Sequence, residues 1–153
     1  MSINESGKYV CVLTTEDDQK VRKDLFIYLR PVFHTNGSLR LKIEDEKHPF
    51  QITASSTKVL RGETAILRCP TIGYPTPSII WYKGENKKLL ELESSKRYEF
   101  RGNELIIQNV EDTDEEIYRC VAWNNFSISV NGTSSNERFT ATLDQKLWNL
   151  YLG

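Results

Sequence analysis

From Phe50 to Asp144 the chain reads as short runs of Ile, Val, Thr, Tyr and Trp, broken by Gly, Pro, Asn and clusters of charge. That pattern predicts strands. The clearest are 63–69 (ETAILRC), 78–84 (SIIWYKG), 97–101 (RYEFR), 104–109 (ELIIQN), 117–123 (IYRCVAW) and 138–143 (RFTATL). Weaker candidates are 50–53, 57–60 and 87–92, and turn signals lie at IGYPTP, KGEN, RGNE and VNGTSS. No long segment has a helical period. Many short strands spaced by turns predict an all-β sandwich or barrel.

Alternation assigns the faces, because successive side chains of a strand point to opposite sides. One face collects Ala65, Leu67 and Cys69; others collect Ile79 with Trp81, Leu105 with Ile107, and Tyr118, Cys120 and Ala122. These sets are the expected core, at roughly 1.5–3 kcal/mol for each buried Leu or Ile. Cys69 and Cys120 both fall on inward faces, and Trp81 lies between them in sequence. A bridge between them would tie two sheets together, with the indole against the sulfurs. Tyr118, two residues before Cys120, can turn its ring into the core where the chain crosses between sheets. Its hydroxyl then reaches a backbone group in VEDTDEE just upstream, with Asp114 in the same corner.

Cys69, Trp81, LIIQNVEDTDEEIYRC and GYPTPSIIWYKG together resemble the immunoglobulin superfamily, and the last stretch resembles its intermediate or I-set class. The resemblance covers residues 50–144. Two departures stand out: Glu116 replaces the usual Gly, and 124–137 is expected to be an unusually long loop. ESGKYVC at the N-terminus repeats the motif, with Glu5, Gly7, Tyr9 and Cys11. Residues 1–29 therefore resemble the last two strands of a preceding domain, the second being 21–29. The alternative is that Met1 is genuine and Cys11 a free thiol. Residues 30–49 are expected to be a linker in which SLRLKIE adds an edge strand, and 145–153 a tail that either prolongs the last strand or begins another segment.

Composition narrows the function. In 153 residues, 20 Lys and Arg nearly balance 21 Asp and Glu. That leaves no electrostatic footprint for nucleic acid or an anionic membrane. No apolar run of about 18 residues is present, so no membrane insertion by this segment is expected. Three cysteines leave one without an internal partner. Sequons at Asn4, Asn36, Asn125 and Asn131, all expected in turns or loops, join the cysteine pair in favouring an oxidising, extracellular setting. His34 and His48 lack partners at metal-ligand spacing, and the acidic run 111–116 lacks the ordered oxygen spacing of a calcium loop. With no phosphate loop, nucleophile elbow or Cys–His pair, the reading has no catalytic residue, cofactor or metal.

What remains is binding. Ile80, Tyr82, Val121 and Trp123 lie on outward positions of strands that the resemblance makes neighbours, forming an apolar patch of hot-spot composition. The opposing reading is that 124–137, or a glycan on Asn125, covers it. The resemblance implies a secreted or cell-surface module for adhesion or receptor recognition, homophilic or heterophilic, in a setting that includes nervous systems. Small secreted two-domain neural proteins of invertebrates are similar in outline. Two alternatives are a structural I-set module of an intracellular muscle protein and the ligand-binding ectodomain of a receptor kinase or phosphatase.

Overall fold

The computed structural model describes residues 5–34, 41–43, 50–54, 56–84, 87–88 and 97–151. Its strands, in chain order, are β1 (Gly7–Thr14), β2 (Lys20–Ile27), β3 (Leu29–Phe33), β4 (Leu41–Ile43), β5 (Gln51–Ala54), β6 (Thr57–Leu60), β7 (Ala65–Arg68), β8 (Thr71–Tyr74), β9 (Ser78–Lys83), β10 (Lys87–Lys88), β11 (Tyr98–Arg101), β12 (Glu104–Ile107), β13 (Ile117–Val130) and β14 (Thr133–Leu150). A 3-10 turn at Asp112–Asp114 leads into β13. The larger sheet runs β10-β9-β13-β14-β5-β4, with β6 parallel to the far end of β14; the smaller runs β11-β12-β7. Among the described residues β1 pairs only with β2, and β3 with β8.

The two main sheets form a sandwich around a core of Ala65, Leu67, Cys69, Trp81, Leu105, Ile107, Val110, Tyr118, Cys120, Leu143 and Leu147. Ala122 is buried and Ile79 packs partly buried against the cluster. The even spacing of these positions is what lets each strand put one side into the sandwich. Ile106 is buried too, although alternation points it away; it sits on the middle strand of the smaller sheet.

Cys69 and Cys120 are joined by a disulfide, with Cα atoms 6.2 Å apart, and Trp81 pairs with Cys120 across the β9–β13 ladder. A second tie between the sheets is Gln145, whose buried amide donates to the Arg68 carbonyl at 2.9 Å.

Several sequence expectations give way. Residues 124–137 are not a loop: β13 and β14 continue as one ladder to a two-residue turn at Asn131–Gly132. Both turn residues have positive φ, 50° and 78°, the conformation that Asn-Gly supplies in a tight hairpin. The physical reason is that Phe126, Ile128 and Val130 keep the period of two, between polar residues that pass for loop. Asn125 is consequently a strand residue, while Asn131 sits in the turn. Residues 145–150 prolong β14, one of the two courses expected for the tail, with Leu147 and Asn149 buried. The IGYPTP turn signal holds only in part, since Ile72–Tyr74 lie in β8. The stretch expected as linker is not all linker, since Leu29–Phe33 is a strand paired with β8, whereas the edge strand expected of SLRLKIE is present, Leu41–Ile43 pairing with β5 at the sheet edge. Only Lys87–Lys88 of the 87–92 candidate is described; Asn4, Asn36 and His48 lie outside the described residues.

Gly73 shows why β3 packs where it does. A Cβ there would fall 2.8 Å from Pro77 Cγ, 3.1 Å from the Leu29 carbonyl oxygen and 3.2 Å from Asn124 Nδ2. Only a residue without a side chain lets β3 come this close.

Candidate functional site: the outer face of the larger sheet

The patch residues come together through strand register. Val121 pairs with Ile80, Arg119 with Tyr82 and Trp123 with Ser78. On the other side of β13, Val121 pairs with Thr142, Trp123 with Thr140 and Arg119 with Asp144. Ile80, Tyr82, Val121 and Trp123 therefore share the outer face, and each is half-buried rather than open. Arg138 lies over the Trp123 ring at 3.9 Å from its centroid, a cation–π contact. The Trp123 Nε1 donor is enclosed and has no acceptor among the described residues. Beside the apolar centre, Arg119 grips Asp144 through two bonds of 2.7 and 2.9 Å. The face thus has an apolar middle flanked by a fixed, partly exposed ion pair, an anatomy common in protein interfaces.

The floor under this face is set by the Tyr118 corner. The Tyr118 hydroxyl donates to the Asp114 carbonyl at 2.8 Å, fully buried. Asp114 is itself fully enclosed. Its carboxylate accepts from Arg97 at 2.6 and 3.1 Å, from the Tyr98 hydroxyl at 3.0 Å and from the Glu111 N–H at 2.9 Å, with Lys83 Nζ at 3.8 Å. Burial alone would raise its pKa; the Arg97 bond, then the Glu111 N–H and Tyr98, outweigh burial and hold it below the ordinary carboxylate range. Burial, helped by Asp114, pushes Tyr98 up to about 12, and burial raises Tyr118 further still.

These shifts fix the pH dependence of stability. A depressed carboxylate stabilises the fold above its unfolded pKa and loses that contribution as pH falls through the folded one. A raised phenol does so below its unfolded pKa and loses it as pH rises. Melting temperature is therefore expected to fall below about pH 4. It should fall again as pH rises from about 10 towards 12, where Tyr98 ionises. Thermal melts across that range check both limbs; a flat acid limb would contradict the role given to Asp114.

The N-terminal hairpin repeats the corner. The Tyr9 hydroxyl donates to the Glu5 carbonyl at 2.6 Å, and Gly7 adopts a φ of 135°. Glu116, at the matching place in the second motif, does not adopt a positive φ. Cys11 is a free, exposed cysteine, and Tyr9, Leu13, Val21 and Leu25, on one face by register, are exposed as well.

Another set of contacts went unread in the sequence. Tyr28 stacks on Phe126 at 5.1 Å, Phe126 on Phe139 at 4.4 Å, and Tyr28 on Tyr74 at 6.2 Å. Buried Asn124 donates to the carbonyls of Leu29 (2.8 Å) and Pro75 (2.9 Å), while Arg30 donates to the Thr140 carbonyl (2.9 Å) and lies 3.3 Å from the Phe50 ring centroid. The period-two apolar positions after Asn124 were the available signal.

A family model for the immunoglobulin domain matches residues 49–124. That stretch contains Cys69, Trp81, Tyr118 and Cys120 in the sandwich just described. The chain belongs to the immunoglobulin superfamily. Among curated relatives of this immunoglobulin chain, the Caenorhabditis elegans protein Zwei Ig domain protein zig-1 is 34% identical over 134 residues, which is 88% of this chain and 47% of that one. Human netrin receptor DCC is 39% identical over 67 residues, 44% of this chain and 4% of the receptor. The chain spans about half the length of the first of these and a small part of the second. Among solved structures, a complex of Dpr11 IG1 with DIP-gamma IG+IG2 matches with a TM-score of 0.54 at 17% identity, covering 97% of this chain and 62% of that one. The titin Ig tandem A164–A165 matches with a TM-score of 0.52 at 20% identity, covering 96% and 64%. At such identities these two structures speak for the shared immunoglobulin fold alone. Among the described residues, no cluster of His, Cys, Asp and Glu is placed to hold a metal ion, and no helix is long and apolar enough to cross a membrane.

Proposed function

We propose that this chain is a protein-recognition module of an extracellular adhesion or receptor protein, and that it binds its partner through the outer face of the larger sheet. The observation that carries the reading is the register that gathers Ile80, Tyr82, Val121 and Trp123 beside the Arg119–Asp144 pair. Aromatic and aliphatic groups with a charged margin supply contact area at low entropic cost. The disulfide supports an oxidising compartment. Likeness to a protein named as a netrin receptor supports receptor-type recognition, and likeness to a worm protein named for its Ig domains supports a module of that superfamily. A neural setting belongs to the same proposal.

Residues 1–29 take the role of the last two strands of a preceding immunoglobulin domain. The repeated tyrosine corner and the exposed apolar face of β1–β2 support this, because two strands alone cannot bury a core.

Paired alanine substitutions test the binding face. Trp123→Ala with Tyr82→Ala is expected to weaken partner binding by at least about 2 kcal/mol, roughly thirty-fold, if these are hot spots. The melting temperature should change little, since both side chains are outside the core. Surface plasmon resonance against a partner recovered by ectodomain screening reads the first, and calorimetry the second. A folded double variant with undiminished affinity would remove this face from consideration.

A further inference from the structure

Asn125 occupies a position that its motif alone does not reveal. It is exposed, it lies on β13 two residues after Trp123, and it pairs with Arg138 across the ladder. Residues two apart on a strand share a face at roughly 7 Å. Asn125 therefore stands on the same outer face as Trp123, next to the guanidinium that covers the indole. Its orientation is pinned from behind. Phe126, the middle residue of the sequon, is stacked between Tyr28 and Phe139, so Asn125 and Ser127 are turned outward together. Asn131, the other described sequon, sits six residues on in the hairpin turn, roughly 20 Å along the strand and beyond the reach of Trp123.

We propose that Asn125 carries an N-linked glycan whose first sugars lie over the Trp123–Arg138 pair and set how much of the outer face a protein partner reaches. The proposal rests on the extracellular reading above. The co-reactant is a lipid-linked pyrophosphoryl oligosaccharide. The Asn125 amide nitrogen bonds to the anomeric carbon of the first N-acetylglucosamine, the sugar–phosphate bond breaks, the lipid pyrophosphate leaves, and the amide proton passes to the transferase; nothing is oxidised or reduced. Once attached, the acetamide and hydroxyl oxygens accept from the donors that Arg138 keeps free around its ring contact. The apolar face of the sugar covers the indole edge. A glycan in that place narrows the approach to Trp123 and leaves Ile80, Tyr82 and Val121, farther across the sheet, open, so molecules without it present the whole face to the partner.

The test uses the whole chain made in a eukaryotic secretory host, in a Trp148→Phe background. Trp81 is only 3% exposed, so acrylamide quenching then reports mainly on Trp123. Ser127→Ala removes the Asn125 sequon and keeps the asparagine; Thr133→Ala removes the Asn131 sequon as control. Peptide mass after enzymatic deglycosylation should show Asn125 occupied. Ser127→Ala should raise the quenching constant, because the part of the indole that Arg138 leaves open is uncovered, and Thr133→Ala should leave it unchanged. A bare Asn125, or an occupied one whose loss leaves quenching unaltered, overturns the proposal. An occupied Asn131 beside a bare Asn125 overturns this proposal alone; the extracellular reading falls separately if protein from its native source carries Cys69 and Cys120 as free thiols. The quenching arm needs no partner, so its failure is separate from a failure of the binding face.

Discussion

Replacing Cys69 and Cys120 together with alanine is expected to lower folding stability by about 4 kcal/mol, the chain-entropy cost of opening a loop of this length. The two residues are 51 apart in sequence and both are fully buried, so the loss adds small cavities to the released loop entropy. An immunoglobulin module of this size has only about 5–15 kcal/mol in hand. Denaturant titration should show the midpoint collapsing in the double variant, and treatment of the native protein with reductant should reproduce it. Cys11→Ala is the internal control: that cysteine is exposed and unbridged, so its loss should change stability by less than about 0.5 kcal/mol. A double variant within about 1 kcal/mol of the parent would mean that the denatured chain is already compact around the β7–β13 contact.

Arg97→Met is expected to cost about 3 kcal/mol, because it strands a buried carboxylate. Asp114 is fully enclosed, and Arg97 supplies two of its hydrogen bonds. Tyr98, Lys83 and the Glu111 N–H remain, which keeps the loss below that of a wholly unpaired charge. Adding Asp114→Asn to Arg97→Met removes the stranded charge, so the double variant should be less unstable than the two single losses summed, with a coupling of about 1–3 kcal/mol. Strictly additive losses would show that the pair does not act as a unit. The acid limb of the pH profile should also flatten in Arg97→Met.

The two-layer fold was legible in the sequence because its core residues obey a period of two and because Cys69, Trp81, Tyr118 and Cys120 are chemically distinctive. The Tyr118 bond to a backbone group upstream was readable for the same reason: a buried phenol must find an acceptor nearby. What escaped was non-local. Nothing around Asn124 announces that its amide will meet Leu29, ninety-five residues away. Asn125, Ser127 and Ser129 look like loop residues, and only Phe126, Ile128 and Val130 between them betray a strand. Arg97 carried no signal either, since its partner is fixed by packing rather than by spacing. The outer face was traceable as a set of alternate positions, but its cover was not: the Arg138 guanidinium over Trp123 follows from ladder register, which a sequence does not declare.

The ring stack of Tyr28, Phe126 and Phe139 has a mechanical corollary. Phe126 and Phe139 belong to the part of the hairpin that lies beyond Trp123, so trimming the hairpin back to that point would remove one of the surfaces on which the Tyr28 ring rests. Hairpin length is thus coupled to the grip on Tyr28, while β3 keeps its ladder to β8 and Arg30 its bond to the Thr140 carbonyl, so shortening should loosen that ring without freeing the strand that follows it.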